Sequence, residues 1–243
     1  MQFEVLPVID IMLNLYHQPA GMERFHQYLK QLQGNTKGDL AMPLGGFNPM
    51  GKVHVSAQLE LLKALHAEEI MTAALSGINQ RCKQLAPYKV FRVALNLCDD
   101  LKGGWTNRYT TDYDSRFKIQ ALVARGFSVP VFWTSETYDA SLIRTRTLES
   151  CYRTLYRLSS SRPATLEEHG KQERYVTIHA GSAPGESGPH PAVAAFYRQH
   201  SDSREYAVIF NFLYGDEAAV SLGFPSFGIP GEMAGLRYLQ QFV

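Results

Sequence analysis

The sequence predicts an α/β fold: a partly parallel sheet flanked by helices, with an α-helical N-terminal region. Three observations carry this. Two apolar, β-prone runs, residues 89–98 (KVFRVALNLC) and 127–133 (FSVPVFW), each lie between amphipathic segments. Strand-like and helix-like segments alternate around them, and two such strands in one sheet would be parallel with a right-handed crossover. The first third of the chain carries only helical periodicity. The alternative is a mainly helical α+β arrangement. The 243 residues are enough for a sizeable core and read as one globular domain, 1–243. Within it, 1–86 is a helical portion and 87–243 an α/β portion.

In chain order, residues 6–16 and 22–32 are amphipathic helices kept apart by Pro19 and Gly21. A polar, glycine-containing stretch follows over 34–51. Val55, Leu59 and Leu62 then recur at spacings of four and three, marking one helical face, and another helix over 68–85 stops before Pro87. Pro87 and Asp99-Asp100 bound a buried strand over 89–98. A long polar loop, 99–114, leads to a helix capped by Asp114 or Ser115, carrying Phe117, Ile119, Leu122 and Val123, and ended by Gly126. Pro130 has no N–H for a ladder and moves the strand 127–133 to an edge position. A helix over 140–158 and a Ser159-Ser160-Ser161 connector come next. The last third reads as helix 164–172, strand 174–179, helix 191–200, strand 206–213 and helix 232–242. The Gly/Pro/Ser-rich stretch 181–191 is a long loop, either a lid or a plain surface excursion.

Lys and Arg number 24 against 23 Asp and Glu, a net charge of +1, and 45% of residues are hydrophobic. That hydrophobicity excludes intrinsic disorder, and the missing basic excess gives no support for a nucleic-acid partner. The first 21 residues lack a cationic start and are interrupted by Glu4 and Asp10, unlike a signal peptide. The densest apolar stretch, 208–214, is far too short to span a bilayer. Cys82, Cys98 and Cys151 show no CxxC spacing, which argues against a disulfide scaffold or a zinc ribbon. The expectation is a soluble, cytoplasmic protein with a small-molecule ligand, and with neither nucleic acid nor membrane as partner.

In an open parallel sheet, ligands bind outside the carboxyl ends of the strands. The loops that follow the two strands, 99–114 and 134–139, would then face one crevice. Asp99, Asp100, Asp112 and Glu136 are the candidate acid/base groups or metal ligands. Convergent carboxylates shift one another's pKa values and can leave one protonated near neutral pH. Trp105, Asn107, Arg108 and Ser135 are candidate substrate contacts. Arg144, near the start of the helix 140–158, would join Arg108 in neutralising an anion. The bland account is that Asp, Asn, Gly and Thr collect in loops because they make turns and caps. Cys98 reads as a small buried residue or as a nucleophile.

Gly46-Phe-Asn-Pro-Met-Gly51-Lys52 satisfies the GxxxxGK part of a phosphate-binding loop, and a helix follows it. Val53 stands where a magnesium-ligating Ser or Thr belongs, and the preceding 39–44 contains Pro43 and makes a poor buried strand. Gly46, Gly51 and Lys52 are the candidate cofactor contacts, with the strand ending in Asp99-Asp100 as the acidic partner such a loop needs. His169 and Glu173, four apart on a helix, and His179 on the strand after it form the best-placed group for a divalent metal. Such His/Glu pairs are more often solvated side chains. No HExxH, GxSxG or GxGxxG pattern occurs, and Leu101 breaks the spacing of aspartate-nucleophile phosphatases.

These observations lead to an enzyme acting on a small polar or anionic metabolite, with hydrolase or lyase chemistry. The alternatives are a nucleotide-binding protein using the GxxxxGK loop, and a non-catalytic ligand- or partner-binding protein that uses some of its 13 tyrosines as contact surface.

Overall fold

In the computed structural model the chain opens with a strand, β1 (Gln2–Val5), that the helical reading of the first third overlooks. Helices α1 (Ile9–Tyr16), α2 (Met22–Gln33), α3 (Val53–Ala64) and α4 (Ala67–Cys82) follow it. The chain then returns as β2 (Val90–Val93) and β3 (Asn96–Cys98). After α5 (Arg108–Phe117) and α6 (Gln120–Ala124) come β4 (Phe127–Ser128) and β5 (Val131–Trp133), then α7 (Ala140–Ser159). The structure describes residues 1–34, 39–83, 89–101, 103–182 and 190–242. Residues 84–85 of the expected helix and 183–189 of the Gly/Pro/Ser-rich loop lie outside the described residues.

Among the described residues all strand pairings are parallel. β2 runs between β1 and β4, with Phe3 opposite Phe91 and Arg92 opposite Phe127, while β3 pairs with β5, Cys98 opposite Trp133. The ladder breaks at Pro130, which has no N–H. Its carbonyl still accepts from Asn96 N at 3.0 Å, and Ala94 N reaches Ser128 O at 3.1 Å. The predicted strands 89–98 and 127–133 are therefore each one extended run with a short interruption. Helices flank the sheet, and its strands carry Phe3, Phe91, Leu97 and Phe132, all essentially fully buried. Burial of each such side chain stabilises the fold by about 1.5–3 kcal/mol.

Asn79, on α4, holds the outer side of β1. Its Oδ1 accepts from Phe3 N at 2.7 Å and its Nδ2 donates to Phe3 O at 2.9 Å. A carboxamide presents one donor and one acceptor side by side, so it substitutes for a neighbouring strand at an otherwise open edge. Glu68, one helical stretch earlier, accepts from Val8 N and Ile9 N and so caps α1.

The described chain forms two compact units, Met1–Ser115 with Ile119–Thr154, and Arg116–Lys118 with Leu155–Val243. The strands of the described residues all belong to the first. The second contains α8 (Leu166–Ala180), α9 (Pro191–His200), α10 (Tyr206–Tyr214), α11 (Asp216–Ser221) and α12 (Ala234–Phe242). Two expected strands are thus helices. Residues 174–179 continue α8, which a reciprocal capping box between Thr165 and Glu168 starts and Gly181, at φ +68°, ends. Once that helix is nucleated, each further residue adds a hydrogen bond, which outweighs the weak alternation of Tyr175, Val176 and Ile178. Residues 206–213 are apolar all round because α10 is a buried helix, packed against α9, α11 and α12. Among the described residues, no helix is long and apolar enough to cross a membrane.

Candidate functional site

The carboxyl ends of β3 and β5 carry the densest polar network of the first unit. Asp99, directly after β3, is buried and receives three side-chain hydrogen bonds. Asn48 Nδ2 reaches Oδ2 at 3.1 Å, while Thr134 Oγ1 at 3.0 Å and His54 Nε2 at 2.8 Å both reach Oδ1. Burial alone would raise its pKa, but the bonds from His54, Asn48 and Thr134 outweigh it and hold the carboxyl below the usual range. Asp100 behaves alike. Burial opposes ionisation, and Ser135, through both N–H and hydroxyl, together with Arg108 Nη1 at 2.9 Å, more than compensates. The expectation that carboxylates crowd here and leave one protonated near neutral pH is corrected for this pair. Each is surrounded by donors rather than by the other's charge.

Arg108 links the two loops. Its Nη2 donates to Glu136 Oε1 at 2.7 Å, its plane stands over Trp133 at 4.6 Å from the ring centre, and its buried Nε has no acceptor. Arg146 grips both oxygens of Glu136, its Nη2 donating to the same Oε1 at 2.7 Å and its Nη1 to Oε2. Arg146, not Arg144, is the α7 arginine that reaches this network. Positions two apart on a helix point about 200° apart, and Arg144 is exposed. Asn107 caps α5 by accepting from Thr110 N at 3.0 Å, so that helix starts at Arg108 and the loop is 99–107. Asp114 and Ser115 lie inside α5 rather than at its start. Asp112 is buried within the same helix. Trp105 is 46% exposed, its ring 6.5 Å from that of Phe25.

The GxxxxGK loop does sit at this end of the sheet. A Cβ on Gly46 would collide with Cys98 Sγ and crowd Asn96 Nδ2, so only glycine lets the loop approach the end of β3. Asn48 ties it further, its Oδ1 accepting from Met50 N at 3.0 Å while its Nδ2 holds Asp99. Gly51 packs on Tyr16, whose hydroxyl donates to Asn48 O at 2.6 Å. Residues 39–44 form no strand, so the loop enters α3 without the strand that a phosphate-binding loop springs from. Lys52 is exposed, and its Nζ lies 3.8 Å from where a Cβ on Gly103 would stand.

His54, in the first turn of α3, is the functional side chain that the sequence reading misses. Its neighbour Asp99, when ionised, can only accept, so the contact calls for a proton on Nε2 and leaves Nδ1 as the ring nitrogen turned to other partners. Nδ1 has no hydrogen-bond partner among the described residues, and the side chain is 29% exposed. The available signal was a polar residue in the first turn of the helix entered from the glycine loop.

The expected metal group does not assemble. His169, Glu173 and His179 all lie on α8, where 173 and 179 are six residues and about 240° apart. Glu173 is fully buried and paired with Arg116 Nη1 at 2.6 Å. The Nδ1 atoms of His169 and His179 face the carbonyls of Thr165 and Tyr175. Among the described residues no group of three or more His, Cys, Asp or Glu could hold a metal ion. Cys98 is buried, and burial pushes its thiol well above the ordinary value, which favours the small buried residue over the nucleophile. A cavity of about 330 Å³ opens at the turn between α1 and α2, but Glu23 is the one ionisable residue lining it.

No family model, curated protein or solved structure matches the chain.

Proposed function

We propose that this chain is an enzyme acting on a small polar or anionic metabolite by general acid–base chemistry of hydrolase or lyase type, with His54 as the proton-transfer group and Asp99 as its positioning partner. One observation carries the reading: Asp99 Oδ1 holds His54 Nε2 at 2.8 Å, and Nδ1 has no hydrogen-bond partner among the described residues on a side chain that is 29% exposed. In that state Nδ1 takes a proton from a substrate hydroxyl, or from water attacking a carbonyl or phosphoryl centre. The imidazolium so formed faces the Asp99 carboxylate, which stabilises it, and returns the proton to the leaving group. Asn48 and Thr134 keep the carboxylate oriented, and the Asp100–Arg108–Glu136–Arg146 chain fixes the loops around it.

The test is turnover on a panel of small carboxylate and phosphate esters and hydroxy acids, followed by proton release or uptake. The wild type is expected to turn over at least one, and His54→Asn to lose about 10²–10⁴-fold of that rate with its circular dichroism unchanged. A panel without turnover, or a His54→Asn variant as active as the wild type, rejects the proposal.

A further inference from the structure

His54 meets Asp99 only if α3 is held at a fixed distance from the end of β3. The core-facing side chains of α3 are Val55, Leu59 and Leu62, all fully buried. Apolar burial is non-directional, so it sets the depth of the helix better than the aim of one imidazole. Among the described residues, two side chains of α3 make directional contacts to the strand ends: His54 itself and Gln58. They stand four apart, one turn along the same face of the helix. Gln58 Nε2 donates to Thr134 O at 3.2 Å and to Glu136 O at 3.4 Å, both in the loop after β5.

These bonds close a circuit. Thr134, whose carbonyl Gln58 holds, turns its hydroxyl to Asp99 Oδ1 at 3.0 Å, and that is the oxygen His54 Nε2 meets at 2.8 Å. The loop that Gln58 grips is itself anchored, because Ser135 N donates to Asp100 and the Glu136 carboxylate is held by Arg108 and Arg146. For stability alone the amide at 58 is a poor choice. Its bonds are long, and its buried Oε1 has no hydrogen-bond partner among the described residues, which costs free energy. A methionine of similar volume would carry no such cost.

Resting on the acid–base reading above, we infer that Gln58 is a positioning residue for the proton transfer. It locks α3 to the loop 134–136 and so sets the distance and angle at which His54 faces Asp99. Without it, the helix keeps its buried face but loses the directional tie one turn from the imidazole. Thr134 then loses the hold on its carbonyl while its hydroxyl still bonds Asp99.

Two substitutions separate the donor from its reach. Gln58→Met keeps length and volume and loses both N–H groups, while Gln58→Asn keeps them and draws them back by one methylene. Nitrogen-15 NMR of the histidine rings reads the contact in the whole, substrate-free protein. In the wild type His54 should show a single Nε2-protonated form whose proton exchanges slowly with water. Both variants should show a mixture of tautomers and faster exchange, with circular dichroism unchanged. On whichever ester or hydroxy acid of the panel the wild type turns over, kcat should fall about 10–10²-fold in both, with KM little changed. A small misplacement of a proton-transfer group acts on the transition state and not on ground-state binding. A merely structural glutamine would lower the urea midpoint and leave the ring spectrum and kcat as they are, and that result overturns the inference. So does Gln58→Asn with a wild-type ring spectrum. If no compound is turned over but the ring spectra change, the acid–base reading falls and the hold of Gln58 on the His54–Asp99 contact stands. If His54→Asn loses turnover while both Gln58 variants keep it, only the role of Gln58 falls.

Discussion

His54 Nε2 and Asp99 Oδ1 stand 2.8 Å apart, joining the first turn of α3 to the end of β3 across 45 residues of chain. The carboxylate fixes the tautomer because it cannot donate. Asp99→Asn is isosteric but can turn either an oxygen or an amide N–H toward the ring, so the tautomer is no longer imposed. Nitrogen-15 NMR of the histidines should report a single Nε2-protonated form for His54 in the wild type and a mixture in the variant. Turnover should fall about 10²–10⁴-fold without loss of fold. A mixed population with undiminished turnover would separate the tautomer from the chemistry.

The same carboxylates make the fold sensitive to acid. Asp99 and Asp100 are held below the ordinary aspartate value of about 3.9, which the unfolded chain retains. Between the two values the unfolded state binds more protons, so stability falls as pH falls. Their contribution is complete above the unfolded value and is lost as pH drops through the lower, folded one. Urea midpoints measured from pH 6 downward should show the wild type losing stability below about pH 4. Asp100→Asn should be less stable at pH 6 and show a shallower decline.

How much of this could be read from the chain depended on whether a residue's role is set locally. The strands over 89–98 and 127–133 stand out because β-branched and aromatic residues are crowded between Pro87, Asp99 and Gly126, and their parallel pairing follows from the intervening helix. Asp99, Asp100, Arg108, Ser135 and Glu136 were named from that topology, and the structure brings them together. His54 was missed because its partner lies 45 residues away and no local spacing announces it. Arg144 was named where Arg146 makes the contact, since only the packed helix separates the two faces. The error over 206–213 has a different source. An apolar run looks the same in a buried strand and in a helix buried on every side, and α10 is the second kind.

Asn79 offers a test of how the sheet edge is kept. Asn79→Ala removes both bonds to Phe3 and leaves its N–H and C=O beside a helix that cannot satisfy them. A loss of about 1–3 kcal/mol is expected, since orphaned polar groups cost more than the bond itself contributed. Amide exchange should accelerate most at Phe3, and less at Arg92, whose N–H bonds to Gly126 O on the far side. Equal acceleration at both would mean that α4 does not protect the edge selectively.

All three cysteines should be silent toward a thiol reagent in the native protein. Burial raises Cys82 and Cys98 above the ordinary thiol value and pushes Cys151 up to about 12, so thiolate is scarce at neutral pH. Ellman's reagent should titrate none of them before unfolding and all three in denaturant. Rapid reaction at Cys98 in the native state would restore its candidacy as a nucleophile.

In the second unit, the stability test is the pair Arg116 and Glu173. Glu173 is fully buried, with Arg116 Nη1 2.6 Å from Oε2 and Gln172 Nε2 3.3 Å from Oε1. Arg116→Met removes the cation 2.6 Å from a buried carboxylate, which should cost about 3–5 kcal/mol. Replacing both, Arg116→Met with Glu173→Leu, removes the charge along with its partner and should cost much less, because no ion then remains to desolvate. Equal costs for the two variants at neutral pH would mean that other donors already satisfy Glu173.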